Sequence, residues 1–219
     1  MTAAPITIEP IQAKYNPQVG RLLVLGFGGK FQNLTNMNDG ELALFFEKLL
    51  DHLPTDPASQ RMVALQEGEV IGTISIKWRP QSATKQKQKL ASWKSFNRFG
   101  TWKLLKMLIG LYLFDHNPKA GECYIADVAV HPDHRGKGVG KLLLQWAQYF
   151  AETKQSLDRL SLYVSGKNPR AKHLYEQLLF RTHSQSKSLV WHLLFKEKKW
   201  DYMVMSFKRI SASKGDDAV

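Results

Sequence analysis

Residues 124–140 read Y-I-A-D-V-A-V-H-P-D-H-R-G-K-G-V-G, an apolar segment followed by a proline and a glycine-rich loop. The apolar segment, residues 122–131, is typical of a strand buried in the centre of a sheet. The pattern after the loop predicts a helix over residues 139–152. Glycines before a helix leave backbone N–H groups open to a close ligand, and the helix N-terminus adds positive potential there. The stretch therefore predicts a strand, a cradle for a pyrophosphate group and a helix.

The spacing within this cradle argues against two common nucleotide-binding loops. A Walker loop ends in Gly-Lys-Ser/Thr, which is absent here. A dinucleotide-binding fingerprint is disfavoured because the glycine spacing is G-x-G-x-G and because Ser165, not an acid, ends the next predicted strand. The cradle is therefore expected to hold the pyrophosphate of a different kind of ligand.

A second motif, N-P-R-A-K-H-L-Y-E, occupies residues 168–176. Asn168 is a favourable helix cap and Pro169 suits the first helical position, so a helix is predicted from there to residue 179. Together the two motifs resemble the GNAT superfamily of acyl-CoA N-acyltransferases. That family's Arg/Gln-x-x-Gly-x-Gly/Ala pattern is matched by Arg135, Gly138 and Gly140, and its N-x-x-A-x-x-L-Y-E segment by residues 168–176.

One position departs from the family's pattern. Members often have Lys-Gly-Phe or Leu-Gly-Phe after the Tyr-Glu pair, whereas this chain has Leu178, Leu179 and Phe180. The missing glycine is expected to alter the turn after the helix and to leave the chemistry unchanged.

The predicted elements alternate in a way that indicates one mixed α/β (α+β) domain over residues 1–210. The resemblance implies a central, strongly twisted mixed sheet flanked by helices, and a flexible tail is expected at residues 211–219. The remaining predicted strands are 6–12, 61–66, 70–78, 159–164 and 200–208, and the remaining predicted helices are 19–27, ended by Gly28-Gly29, and 41–52.

The formal net charge of +12 is concentrated in the middle of the chain, where residues 70–114 carry nine basic and no acidic side chains. Residues 80–118 are predicted to be a basic, amphipathic helical insertion in two pieces divided near Gly100. Its apolar side can pack on the core. Alternatively, Trp93, Phe96 and Trp102 can form a stripe that contacts an anionic membrane through residues 90–114. Nucleic-acid binding is the least favoured alternative.

Composition and residue pattern limit the kinds of protein that this chain can be. The single cysteine, Cys123, excludes a disulfide framework and fits a reducing compartment. The seven histidines form no metal-ligand pattern, so no metal is expected. The first ten residues do not resemble a secretory leader, and the apolar stretch 104–114 is far shorter than the ~20 residues of a spanning helix. We expect a cytoplasmic protein, with membrane-peripheral contact as an open alternative.

The resemblance implies acetyl-CoA as the acyl donor. Its pantetheine chain is expected to pair with residues 128–130, its pyrophosphate to sit on the amides of residues 135–141, and Asn168 to contact the donor. Lys172 or Arg170 is expected to approach the adenosine phosphate. The implied donor-binding residues are Val128, Ala129, Val130, Arg135, Gly136, Lys137, Gly138, Val139, Gly140, Lys141, Asn168 and Lys172.

Acetyl transfer to an amine requires a neutral amine, an oxyanion partner and a proton for the leaving thiolate. Tyr175 is the expected acid, with a core aromatic as the alternative. Glu122 is the expected base, with a solvated charge at a strand end as the alternative. Asp127 is the second candidate, with a structural ion pair as the alternative. Cys123 is disfavoured as a nucleophile because direct transfer needs no acyl-enzyme.

The sequence thus predicts an N-acetyltransferase whose acceptor is a small amine, an amino sugar or a protein amine. A polyamine is disfavoured by the basic surface. The alternative function is a CoA-binding or membrane-surface sensor on the same fold without turnover. A homodimer is possible, since the apolar insertion can cover a partner subunit as well as its own core.

Overall fold

In the residues that the structure describes, seven strands form one sheet, and helices cover both of its faces. A computed structural model describes residues 4–52, 56–79, 93–186 and 199–207. The predicted tail at 211–219 and the first part of the insertion, residues 80–92, lie outside the described residues. The strands are β1 (Thr7–Pro10), β2 (Ser59–Gln66), β3 (Glu69–Trp78), β4 (Glu122–Val130), β5 (Arg159–Ser165), β6 (Arg181–Ser186) and β7 (Trp200–Ser206). The α-helices are α1 (Asn16–Thr35), α2 (Asp39–His52), α3 (Thr101–Phe114), α4 (Val139–Thr153) and α5 (Pro169–Gln177).

The sheet is mixed, as predicted. Its strand order is β1-β2-β3-β4-β5-β7-β6. Only β4 and β5 pair in parallel, and every other neighbouring pair in this sheet is antiparallel. The parallel pair is joined by α4, as a crossover helix usually joins parallel strands.

Two apolar clusters fill the space between the sheet and its helices. On one face, Leu143 and Ala147 of α4 pack on the apolar residues of β3, β4 and β5. On the other face, α1, α2 and α3 enclose an aromatic cluster around Phe31 and Phe45. The sheet is therefore buried on both sides, which explains why β4 lacks a simple alternation of apolar and polar residues.

The prediction that α1 ends at Gly28-Gly29 is wrong. The helix continues to Thr35 and ends at Asn36, whose φ of 57° is left-handed. Glycine lowers helix propensity, but it does not end a helix whose flanking residues are held by packing in the core. Here Val24 and Phe31 are buried on either side of the glycine pair.

Strand β6 was not predicted. Its sequence, RTHSQS, is polar and all six of its residues are exposed, so it lacks the apolar alternation that signals a strand. It forms because its backbone pairs with β7, the strand beside β5.

The described part of the insertion consists of a 3-10 helix, Trp93–Phe99, and α3, divided at Gly100 as predicted. Its inner side packs on the core, where Phe96, Phe99 and Met107 are buried. Phe96 therefore cannot belong to a membrane-facing stripe with Trp102. The opposite side of α3 exposes an apolar row at helical spacing, made of Trp102, Leu105, Ile109 and Tyr112. No helix in the described ranges combines the length and apolar character needed to cross a membrane.

Candidate active site

The central feature of the site is a split between β4 and β5. The two strands pair only from Glu122 opposite Arg159 to Tyr124 opposite Ser161, and beyond these three residue pairs they separate. The other edge of β4 stays paired with β3 up to Val130. In the part of the chain that the structure describes, the β5-side edge of residues 126–130 pairs with no strand. This edge borders an open cavity of about 1340 Å³.

A β-bulge in β4 accompanies the split. Ile125 lies opposite Ile76, and Asp127 lies opposite the adjacent Ser75, so Ala126 is the extra residue. A bulge bends its strand and changes which face the following side chains occupy. Before it, Ile125 packs on the α4 face; after it, Val128 packs on that face and Asp127 does not. The bulge therefore directs Asp127 away from the α4 core.

The glycine loop lies beside the open edge. Gly136 and Gly138 have φ values of 79° and 85°, a left-handed conformation that glycine adopts without strain. Gly138 caps the N-terminus of α4, and a Cβ atom built on it would have no neighbour within 4 Å. The Arg135 side chain fastens the loop to β4, because its Nε donates to the Val130 carbonyl at 3.1 Å. The loop thus presents free space and a helix N-terminus to the cavity, as an anion site requires.

The start of α5 lies beside this loop. Asn168 caps the helix, since its Oδ1 accepts the Ala171 N–H at 3.1 Å. The Arg170 guanidinium lies against the loop, 3.1 Å from the position of a Cβ on Gly136. Lys172 points elsewhere: its Nζ is 2.6 Å from the buried Asp201 carboxylate, and the residue does not border the cavity. Of the two predicted phosphate partners, Arg170 is the one at the loop.

Tyr175 is held at the C-terminal end of α5. The Phe180 N–H donates to the Tyr175 carbonyl and the Leu179 N–H donates to the Glu176 carbonyl, both at 3.0 Å, which is a Schellman ending. The rings of Tyr175 and Phe180 pack with their centres 5.9 Å apart. Burial raises the pKa of Tyr175 to about 12, so the phenol stays protonated at neutral pH. The side chain is mostly buried and also borders the cavity.

Glu122 is completely buried at the start of β4, so a solvated charge at a strand end is excluded. Its Oε1 accepts hydrogen bonds from His116 Nε2 at 2.9 Å, Ser161 Oγ at 2.5 Å and the Tyr202 hydroxyl at 2.8 Å. Its Oε2 accepts the Lys119 N–H at 2.8 Å. Burial alone raises the pKa of Glu122, but these four donors together outweigh it and lower the pKa to about 2.

Asp127 has a specific partner on β2. Both of its oxygens are 2.6 Å from the Arg61 guanidinium, a two-pronged ion pair. Cys123 is buried and does not border the cavity. Burial, reinforced by the nearby Glu122 carboxylate, holds the pKa of the Cys123 thiol well above its ordinary value. The thiolate that a nucleophile requires is therefore disfavoured.

The cavity brings together most of the predicted site residues. Glu122, Lys137, Val139 and Lys172 are absent from its border, and the others line it: Asp127, Val128, Ala129, Val130, Arg135, Gly136, Gly138, Gly140, Lys141, Asn168 and Tyr175. His116 also lines the cavity, and neither sequence motif indicated it. It follows α3 by two residues and reaches Glu122 only because the chain folds back from the insertion into β4.

Part of the cavity wall is aromatic. Phe27 and Phe31 of α1 meet Phe114 of α3 and Trp200 of β7 there. The Lys30 Nζ lies 4.4 Å from the centre of the Trp200 ring and 5.5 Å from that of Phe114. Within the described ranges, no group of three or more His, Cys, Asp or Glu side chains is arranged to hold a metal ion.

A family model described as "Acetyltransferase (GNAT) family" matches residues 32–180, more than half of the chain. Curated relatives match shorter stretches. A mycothiol acetyltransferase of Tsukamurella paurometabola is 42% identical over 66 residues, 30% of this chain and 21% of its own length. A spermidine N(1)-acetyltransferase of Vibrio cholerae is 36% identical over 53 residues, 24% of this chain and 31% of its own length. The chain thus spans less than half of these relatives.

Solved structures share the fold over nearly the whole chain. A chimera of the Vibrio cholerae spermidine N-acetyltransferase superposes with a TM-score of 0.54 and 15% identity, covering 92% of this chain and 95% of that one. A GNAT acetyltransferase from Streptococcus pneumoniae gives a TM-score of 0.54 and 17% identity, covering 93% of this chain and all of that one. At these identities the likeness establishes the fold.

Proposed function

This chain belongs to the GNAT acetyltransferase family, and from that premise we propose that it moves an acetyl group from acetyl-CoA to a primary amine by direct attack. The observation that carries the proposal is the split between β4 and β5, which leaves a backbone edge open beside the glycine loop. A pantetheine chain, with its two amide groups, has the hydrogen-bonding groups to pair with such an edge. The pyrophosphate next to it would rest on the loop amides and the N-terminus of α4.

The donor site is proposed to use the residues around this split. Residues 128–130 would pair with pantetheine, and the loop at residues 135–141 would hold the pyrophosphate. Asn168 keeps its proposed place in the donor site. Arg170 is proposed to approach the adenosine phosphate because it lies against Gly136, whereas the predicted alternative, Lys172, is paired with Asp201.

The chemistry is proposed to follow from a neutral amine attacking the thioester carbonyl. The new N–C bond forms as the C–S bond breaks, and the oxyanion is stabilised by a backbone N–H of residues 128–130. Tyr175 would donate its proton to the leaving thiolate, a role supported by its burial beside the cavity and its protonated state. Of the two carboxylates predicted to assist the amine, Glu122 is buried away from the cavity, and Asp127 borders the cavity with both oxygens bound to Arg61.

The acceptor is proposed to carry its amine on an apolar or cyclic body. The aromatic rings in the cavity wall support this class of small amine, or an amino sugar stacked on them. A polyamine such as the one named for the Vibrio cholerae relative fits less well, because the formal net charge of this chain is +12. A protein amine remains a second acceptor class for the same reaction.

Calorimetric titration with acetyl-CoA tests the donor site, comparing wild type with Gly138→Trp. The indole would fill the open space above the loop, so saturable binding should be lost. Gly68→Trp is the matched control, because Gly68 is also left-handed with open space around it, but lies in the hairpin between β2 and β3. Absence of binding by folded wild type would overturn the proposal.

A second candidate function is that of a sensor that contacts an anionic membrane. Such a role does not require turnover. It is favoured by the outer row of α3, where Trp102 and Tyr112 are 77% and 80% exposed, and by the absence of acidic residues from 70–114. A cytoplasmic location is part of this proposal and fits the single free cysteine.

Co-sedimentation with phosphatidylserine-containing and purely neutral vesicles tests this contact. Wild type should pellet with the anionic vesicles only, and a double variant with Trp102→Gln and Tyr112→Gln should not. Tyr149→Gln on α4, another exposed aromatic, is the control. No lipid-dependent pelleting would reject the membrane. A dimer that dissociates in the double variant would assign the row to a second copy of the chain instead.

A further inference from the structure

We propose that His116 is the general base of acetyl transfer and that Glu122 is the residue that positions it. This inference rests on the proposed function and names a residue that neither motif of the sequence contains. It replaces Glu122 as the group that takes the proton from the amine.

The orientation of the His116 ring follows from its bond to Glu122. Nε2 lies 2.9 Å from Glu122 Oε1, and an ionised carboxylate can only accept, so Nε2 carries the proton. In the neutral ring, Nδ1 then holds a lone pair. None of the described residues forms a hydrogen bond with Nδ1, and His116 borders the cavity. The lone pair is thus available to an acceptor amine.

Three tyrosines hold the ring in place. The His116 ring centre lies 4.5 Å from that of Tyr124, 5.7 Å from that of Tyr163 and 6.0 Å from that of Tyr202. The side chain is 20% exposed, whereas that of Glu122 is 0% exposed. A base must reach the substrate within hydrogen-bond distance, directly or through one water molecule. His116 borders the cavity in which an acceptor would lie, and Glu122 does not.

Neither carboxylate is a better base. Glu122 already accepts from four donors, so taking a proton would break a satisfied buried network. Asp127 borders the cavity, but both of its oxygens are bound to the Arg61 guanidinium. The arrangement of a buried carboxylate behind a histidine is the general way in which a base is oriented and its cationic form stabilised.

The proposed step balances its protons. The amine nitrogen attacks the thioester carbonyl carbon, and a proton of the amine passes to His116 Nδ1 as the N–C bond forms. The C–S bond breaks, and the sulfur takes its proton from the Tyr175 hydroxyl. The products are the N-acetyl amine and CoA thiol, and the proton on His116 returns to Tyr175 through solvent.

The test is thiol release from acetyl-CoA with three probe amines: 2-phenylethylamine, glucosamine and a lysine-containing peptide. With the amine that reacts fastest, His116→Gln is expected to lower kcat by about 10²–10⁴-fold, the usual contribution of a general base. The acetyl-CoA Kd measured by calorimetry should change by less than threefold, since His116 is not part of the loop that holds the donor.

Chemical rescue separates a base from a structural residue. His116→Ala leaves space for free imidazole, which should restore part of the lost kcat in a concentration-dependent manner. Glu122→Gln keeps the shape of the network and should lower kcat about tenfold or more, with no rescue by imidazole because the ring is still present. Melting temperatures verify that each variant is folded.

The outcomes distinguish the two proposals. If wild type binds acetyl-CoA and releases thiol while His116→Gln retains full kcat, the base assignment fails and the acetyltransferase proposal stands. If His116→Ala loses activity, remains folded and shows no imidazole rescue, the base role is rejected in favour of a structural one. If wild type releases no thiol with any of the three amines, both proposals fail.

Discussion

Leu179 has a left-handed backbone at the end of α5, with a φ of 67°. It occupies the position where a Schellman ending favours glycine, and where related sequences often carry one. A side chain with a Cβ atom costs about 1–2 kcal/mol in this conformation. The strain is tolerated because the ending orients Phe180 against Tyr175.

Replacing Leu179 by glycine should therefore stabilise the protein. The side chain is 73% exposed, so little apolar burial is lost, and the relief of strain exceeds the entropy that glycine adds to the unfolded chain. We expect the free energy of unfolding to rise by about 0.5–1 kcal/mol, measured by urea denaturation. Leu179→Ala keeps the Cβ and should give no gain; an equal gain from alanine would show that strain is not the cause.

Glu122 makes the free energy of unfolding depend on pH in the acidic range. Its pKa is about 2 in the folded protein and 4.5 in its ordinary state. As the pH falls, Glu122 therefore takes up a proton at a higher pH in the unfolded chain than in the folded protein. The stabilisation is fully present above pH 4.5 and is lost as the pH falls from 4.5 towards 2. At about 1.4 kcal/mol for each pKa unit, the stabilisation amounts to at most about 3.5 kcal/mol.

Denaturation curves from pH 6 to pH 2 check this link. The free energy of unfolding of wild type should fall more steeply below pH 4.5 than that of Glu122→Gln, which cannot titrate at this position. Parallel curves for the two proteins would show that the Glu122 network does not govern acid stability.

The glycine loop before α4 and the helix cap at Asn168 were predictable, because they depend on local residue order. The partners of the buried and half-buried carboxylates could not be predicted in this way. A carboxylate at Asp127, within an apolar strand, predicted that an ion-pair partner exists. The sequence did not identify that partner, because Arg61 lies 66 positions away in the chain. His116 carried no signal, since its role depends on the loop that brings it back to β4.

At the scale of elements, α1 and α2 pack closely at one glycine. A Cβ atom on Gly20 would lie 2.6 Å from the Ala43 carbonyl oxygen and 3.1 Å from the Glu47 backbone nitrogen. Both are backbone atoms of α2 and cannot rotate away. Gly20 therefore fixes how near the two helices approach, and with them the aromatic cluster beneath.

Gly20→Ala should force the helices apart and lower the free energy of unfolding by about 1–3 kcal/mol, as overpacking does. Gly29→Ala in the same helix is the opposite case, because its Cβ would meet nothing within 4 Å. It should raise stability by up to about 1 kcal/mol through helix propensity. Thermal melts measure both, and two changes of the same sign would contradict the packing argument.

Elements with strong periodicity were predicted well from sequence: α2, α4, β3 and β4 agree with expectation within a few residues. The exceptions share a physical reason. The continuation of α1 past Gly28-Gly29 depends on packing against α2 and α3, and β6 depends on the backbone of β7. Both are tertiary effects that override local propensity.

In the whole molecule, the sheet has two parts joined at a narrow seam. Strands β1 to β4 and strands β5 to β7 meet through only three residue pairs, Glu122–Tyr124 with residues 159–161. Acetyl-CoA in the split would connect the two parts beyond this seam. Its binding should therefore affect the stability of the entire domain.

At one hundred times its Kd, acetyl-CoA should stabilise the native state by about 2.7 kcal/mol. For a chain of this size the Tm should rise by about 5–10 °C. Hydrogen exchange should show new protection at the amides of residues 128–130. A Tm shift without protection there would place the donor elsewhere, and Gly138→Trp should abolish both effects.

The bulge at Ala126 also constrains how the chain can change in length. Side chains along a strand alternate between two faces, so one extra residue exchanges the faces of everything that follows. Deleting Ala126 would turn Asp127 into the apolar core under α4 and lift Val128 and Val130 out of it. We therefore expect substitutions at this position to be tolerated far better than its deletion. The extra backbone residue at position 126, and not the alanine side chain, sets the face of each side chain that follows.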